Sequence, residues 1–215
     1  MKNFIYLFCY IALIISCKEQ KKSIPEVEAL SIEEKIATAH GYENWKNVSK
    51  VYFTFNDKRN WIWQPKTNHI TLIKDNDTIS YNRNKIDSTL TKTDRAFIND
   101  KFWLLIPFQL IWDKGISIST PSKTIAPISK AEINKITLTY SNEGGYTPGD
   151  AYDLYYNDEF IIKEWGFRRG NSAEARLINT FENLRDFNGI KIALDHKNDK
   201  GDELVKLSNV NIILE

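Results

Sequence analysis

The sequence predicts an α+β fold: a curved antiparallel sheet of about eleven strands, with two or three helices covering its concave side. Two observations carry this. Short stretches with an apolar residue at every second position recur along most of the chain, separated by turn-forming residues such as NDK, PKTN and DND. Two segments break that rhythm with helical spacing, and one of them contains the apolar run Lys101–Trp112, KFWLLIPFQLIW.

Ahead of the strands lies a leader. Lys2 precedes an uncharged apolar stretch from Phe4 to Ile15, then small Ser16 and Cys17, the layout of a secretory signal. A bilayer-spanning helix needs about 20 apolar residues, more than this stretch holds. Ile14-Ile15-Ser16-Cys17 resembles the bacterial lipobox. That resemblance makes residues 1–16 a signal peptide and Cys17 the acylated first residue of the mature chain. Several acyl chains, at about 0.8 kcal/mol per buried methylene, form a durable membrane anchor. Lys18 follows, rather than the Asp that retains lipoproteins at the inner membrane, so the outer membrane is the expected address, facing the periplasm or the cell surface. Residues 17–30 then serve as anchor and charged tether, and 31–215 as a single domain.

Lys2 is the one charged residue lost with the leader, so the formal charge of +1 falls to zero. A neutral chain offers no electrostatic footprint for nucleic acid. Cys9 is lost as well, which leaves Cys17 alone and excludes a disulfide or thiolate metal site within one chain.

Within the domain, Ser31-Ile-Glu-Glu34 has the capping-box pattern and predicts a helix from Ile32 to His40, stopped by Gly41. Strands follow at Val48–Phe55, Trp61–Trp63, His69–Ile73 and Thr78–Tyr81, with a further one at Ile86–Leu90. A second helix is expected from Thr93-Asp94 to Leu110, with Asp94 as its N-cap. Beyond it the strands resume at Ile116–Thr120, Ile136–Ser141, Ala151–Asn157, Phe160–Arg168, Ala175–Leu184, Ile190–Leu194 and Val205–Leu214, with turns at 142–145 and 157–159.

Five segments carry a further resemblance: AHGYENW (39–45), NDKFWLLIPFQL (99–110), YTPGDAYDLYY (146–156), IKEWGFRRG (162–170) and FNGIKIALDHK (187–197). Together they resemble the LolA-like outer-membrane lipoprotein-sorting superfamily, most of all its uncharacterised lipoprotein members in Bacteroidetes-type bacteria. The resemblance implies a half-barrel with helices in its opening and an apolar cavity for acyl chains. The well-known periplasmic carrier of that superfamily is soluble, whereas this chain carries an anchor signal, so holding or presenting a ligand is expected rather than shuttling it.

Catalytic signatures are sparse. His40 ends a helix, where the dipole favours a cation, His69 opens a strand, and His196 lies among charges; each is expected to be structural or solvent-facing. None belongs to a spaced metal motif. Asp150, Asp153 and Glu164 could supply an acid–base pair for glycoside hydrolysis, but acids beside turns are usually solvated. No nucleophile elbow, phosphate loop or cofactor motif occurs, and the expectation is a non-enzymatic protein without cofactor.

Aromatics are the abundant resource, with 6 Trp, 10 Tyr and 11 Phe. Trp61, Trp63, Phe102, Trp103, Leu105, Phe108, Tyr152 and Trp165 are the residues expected to line a cavity for a lipid or lipoprotein acyl chain. The alternative is a glycan- or protein-binding module with a filled interior, in which Trp61 and Trp63, two apart on one strand face, stand exposed in a polar groove. In KFWLLIPFQLIW, Pro107 breaks any single clean helix, and apolar residues on all sides mean burial. The question it poses is whether Trp103-Leu104-Leu105 plugs the interior or lines a space.

Overall fold

A computed structural model describes residues 29–143 and 147–215. The leader, Cys17, most of the tether and part of the 142–145 turn lie outside these residues. The fold is α+β, with two α-helices and thirteen strands among the described residues, antiparallel throughout. The first sheet has seven strands and the second six, and neither closes into a barrel.

Helix α1 (Ile32–Ala39) starts as the capping box dictates: Ser31 N donates to Glu34 Oε2 at 2.8 Å, and Glu34 N to Ser31 Oγ at 3.3 Å. Gly41, at φ +87°, then turns the chain where a Cβ would stand 1.8 Å from the Gly189 carbonyl oxygen. Strands β1 (Val48–Phe55), β2 (Arg59–Gln64), β3 (His69–Lys74) and β4 (Asp77–Asn82) form a meander. The expected strand at Ile86–Leu90 is not formed. Asp87 Oδ1 accepts there from the amides of Thr89 and Leu90, a side-chain turn that competes with a ladder.

Helix α2 (Thr91–Trp112) begins earlier than expected, with Leu90 at its N-cap position. Asp94 is no cap: it is buried inside the first turns, taking Arg83 Nε at 2.7 Å and the Tyr81 hydroxyl at 3.0 Å. The helix bends at Leu105 (φ −135°, ψ 36°), where the ring of Pro107 and its missing N–H interrupt the ladder.

The second sheet follows. Strands β5 (Ile116–Ile118) and β6 (Ser122–Ile125) pair end to end along one edge of β7 (Glu132–Tyr140), and β8 (Ala151–Tyr156), β9 (Ile162–Arg168) and β10 (Leu177–Thr180) continue from its other edge. The stretch Ala175–Leu184, expected as one strand, is two. At Phe181 the chain leaves the second sheet and enters the first as β11 (Glu182–Phe187), pairing with β12 (Ile190–Lys197). Strand β13 (Glu203–Leu214) then pairs with β1, so the two ends of the domain close the first sheet's middle.

Two cores lie on either side of α2. Phe97, Leu104, Leu105 and Phe108 pack on the first sheet against Val51, Phe53, Trp61, Trp63 and Ile70. Phe102, Ile106 and Leu110, spaced four apart, pack on the second against Ile136, Leu138, Tyr152, Leu154 and Trp165. A helix with apolar side chains on two opposite sides is thus a wedge between two sheets. Asp100, fully buried on α2, accepts from Arg59 Nε (2.6 Å) and Nη2 (2.7 Å), Trp61 Nε1 (2.8 Å) and Asn99 Nδ2 (3.0 Å), tying the wedge to β2.

Of the two expected roles, His40 and His196 take the structural one: both are buried. Burial pushes each imidazole down to about 4, against backbone carbonyls that favour the charged ring: Ile36 at 2.8 Å from His40 Nδ1, and for His196 the carbonyls of Thr180, at 3.0 Å from Nδ1, and Ala193.

Two outcomes follow. Replacing Asp100→Ala leaves the Arg59 guanidinium and the Trp61 N–H without their acceptor, so urea denaturation should lose about 3 kcal/mol, and a loss below about 1 kcal/mol would refute the tie. For the histidines, the unfolded chain takes up protons below about 6.5 while the folded rings stay neutral to about 4. Stability should therefore fall as pH drops from 6.5 to 5, by about 2 kcal/mol per ring. A flat thermal midpoint across that window would mean the rings are not held neutral.

Candidate functional site

The register of the second sheet lines up two rows of side chains on its face toward α2. Leu138, Tyr152, Phe167 and Leu177 form one row; Ile136, Leu154, Trp165 and Asn179 form the other. Against them α2 lowers Phe102 and Trp103. The Phe102 ring lies 4.9 Å from Tyr152, Trp103 meets Trp165 edge-on at 4.8 Å, and Tyr152 stacks on Trp165 at 4.9 Å with 3° between planes.

These rings leave a cleft of about 230 Å³ between α2 and the sheet. Phe102, Trp103, Tyr152, Trp165, Phe167 and Leu177 line it, with Asn99 and Thr147 as its polar members, and none of the eight is charged. Thr147 Oγ1 and the Tyr152 hydroxyl share a hydrogen bond of 3.0 Å, so the phenol is occupied.

Four of the eight sequence-derived residues therefore meet: Phe102, Trp103, Tyr152 and Trp165. The other four, Trp61, Trp63, Leu105 and Phe108, lie in the first core. Trp61 is 1% exposed and Trp63 7%, which leaves neither indole standing in a polar groove. The space beside them is filled by Trp45 and Phe97, at 5.1 and 5.6 Å from the Trp63 ring. The run Trp103-Leu104-Leu105 is divided: both leucines plug the first core, while Trp103 lines the cleft. Sequence reasoning missed Phe167 and Leu177. Phe167 stands two residues from Trp165 on one strand face, a signal that was available; Leu177 was hidden in a stretch read as a single strand.

Charged groups near the site are engaged elsewhere. Glu164 alternates with Trp165 onto the opposite face and accepts from the amides of Ile128 (2.7 Å) and Ser129 (2.9 Å). Asp153 pairs with Arg168 at 3.1 Å and takes the Thr137 hydroxyl, and Asp150 caps Gly170 N at 2.7 Å. Lys101 holds its amine over the rings of Trp63 (6.0 Å) and Trp112 (5.4 Å), and burial lowers it to about 8. Among the described residues no group of three or more His, Cys, Asp or Glu could hold a metal ion. No described helix is long and apolar enough to cross a membrane.

No family model matches the chain, and no curated protein matches it. A solved structure, of a DUF1329 family protein from Desulfovibrio piger, is similar over 84% of this chain and 92% of its own, at 8% identity and a TM-score of 0.44.

Proposed function

We propose that this protein is a lipid-anchored, non-enzymatic protein of the cell envelope that binds a hydrophobic ligand, an acyl or alkyl chain, in the cleft between α2 and the second sheet. The observation that carries this reading is the uncharged aromatic cleft of about 230 Å³ made by Phe102, Trp103, Tyr152 and Trp165. Ligand pockets of this kind are lined by apolar and aromatic groups with a few polar ones to orient the guest. The wedge supports the reading too. Directional ionic contacts at Asp94 and Asp100 hold α2 on the first sheet, while Phe102 and Trp103 meet the second sheet through apolar contact. Dispersion and hydrophobic contacts are non-directional, so a hydrocarbon chain can share that seam without leaving polar groups unpaired.

The resemblance of the five segments to LolA-like proteins points the same way, as does the lipobox at Cys17. On this reading the anchor keeps the cleft beside an outer membrane, where apolar ligands partition.

The test is a photoreactive alkyl probe offered to the full chain in phosphatidylcholine vesicles. Saturable labelling is expected on peptides of α2 and of β8–β9, and Leu177→Trp, which fills the cleft, should cut labelling about tenfold. Labelling that does not saturate, or that ignores Leu177→Trp, would overturn the cleft. Separately, incorporation of labelled palmitate by cells should vanish in Cys17→Ser; persistence would remove the anchor.

A further inference from the structure

Behind the rings that line the cleft the chemistry changes. Asn179 is fully buried, sits opposite Trp165 in the register, and lies two residues along β10 from Leu177 on the same face. Neither polar atom of its amide has a partner among the described residues, and the same holds for Trp165 Nε1 and His196 Nε2. Asn179 and Trp165 are neighbours in the register, and Trp103 stands between Trp165 and His196. Trp103 touches both other rings, at 4.8 Å from Trp165 and 5.3 Å from His196. Thr180, next to Asn179, receives His196 Nδ1 on its carbonyl at 3.0 Å and binds the Lys197 amide through its hydroxyl at 3.1 Å.

Their donor and acceptor roles can be assigned. A carbonyl only accepts, so His196 Nδ1 carries the ring hydrogen and Nε2 presents a lone pair. Trp165 offers one N–H, and Asn179 offers both an NH2 and an oxygen. The set therefore both gives and takes, and it contains no cation. A carboxylate or phosphate only accepts; here it would face two lone pairs without a counter-charge. A hydroxyl, which donates once and accepts twice, satisfies both kinds of group. The nearest lysine in the chain, Lys197, turns to Glu182 at 2.8 Å.

We propose that the ligand carries an uncharged, hydroxyl-bearing head, as in a monoacylglycerol or long-chain alcohol, which hydrogen-bonds to Asn179, Trp165 and His196 while its chain fills the aromatic cleft. Trp103, which lines the cleft on one side and contacts His196 on the other, swings aside to admit the head. This inference rests on the cleft reading above.

The experiment compares two photoreactive probes of equal chain length on the full chain in phosphatidylcholine vesicles at pH 8: a 1-monoacylglycerol and the corresponding fatty carboxylate. The monoacylglycerol should half-saturate labelling at a concentration at least about tenfold lower, a difference of about 1.4 kcal/mol. Asn179→Leu, close in volume, should shrink that preference to within about twofold. Equal half-saturation by the two probes on the unaltered chain, or a preference that survives Asn179→Leu, overturns the head-group assignment and leaves the cleft standing. Failure of the headless alkyl probe to saturate overturns the cleft itself. The comparison on the unaltered chain decides even where the variant does not fold.

Discussion

The Asp100 carboxylate sets the position of everything around it. An ionised carboxylate without solvent contact is tolerated only when its lone pairs are filled, and here four N–H groups fill them. Arg59 contributes two in the planar fork that suits a carboxylate, and Trp61 adds a third from the core side. Geometry this specific admits one placement of α2 on β2. A second buried carboxylate, Asp94 with Arg83 and Tyr81, repeats the constraint six residues earlier on the helix. Since α2 is the wedge between both sheets, fixing it on the first determines how closely its far side approaches the second.

The far side is built differently. Phe102, Ile106 and Leu110 meet the second sheet along one helical stripe, and a polar tie on that side comes at the end of the helix, where the Tyr140 hydroxyl donates to Asp113 at 2.5 Å. The bend at Leu105 and Pro107 separates the half that carries Asp94 and Asp100 from the half that ends at this tie. The cleft opens along the first half, where aromatic rings rather than ion pairs form the contact. Position on one sheet is thus specified by charge, and spacing from the other by ring packing.

Much of the fold could be read from the sequence because its signals are local. The capping box at Ser31, the alternation in Val48–Phe55 and the apolar run in α2 are each decided within a few residues, and each is present. Pairing is not local. Period-two stretches name strands without naming partners, so the division into two sheets and the crossing at Phe181 could not be read. Strand β6, SKTI, carries one apolar residue and gave no alternation to read. Asp94 was expected as an N-cap because an Asp at the start of a helical pattern usually is one, but the helix begins three residues earlier. The polar neighbours of His196 alternate to the other face of its strand, which is why the ring is buried although it lies among charges in sequence. The aromatic candidates divided for a related reason. Being two apart puts Trp61 and Trp63 on one face, but it does not say what covers that face.

Segments far apart in the chain meet at named atoms in the fold. AHGYENW and FNGIKIALDHK are 140-odd residues apart in the chain, yet Asn44 Nδ2 donates to the Gly189 carbonyl at 3.1 Å, and the Lys191 amide to the carbonyl of His40 at 3.0 Å. A side chain at Gly41 would collide with that same carbonyl of Gly189, so the glycine is required by backbone contact and not by its own turn alone. In the same way NDKFWLLIPFQL and IKEWGFRRG meet through Trp103 and Trp165. Each quoted stretch is one side of a close contact between distant parts of the fold. The unpartnered donors and acceptors spread over β9, β10 and β12 likewise come together only in three dimensions.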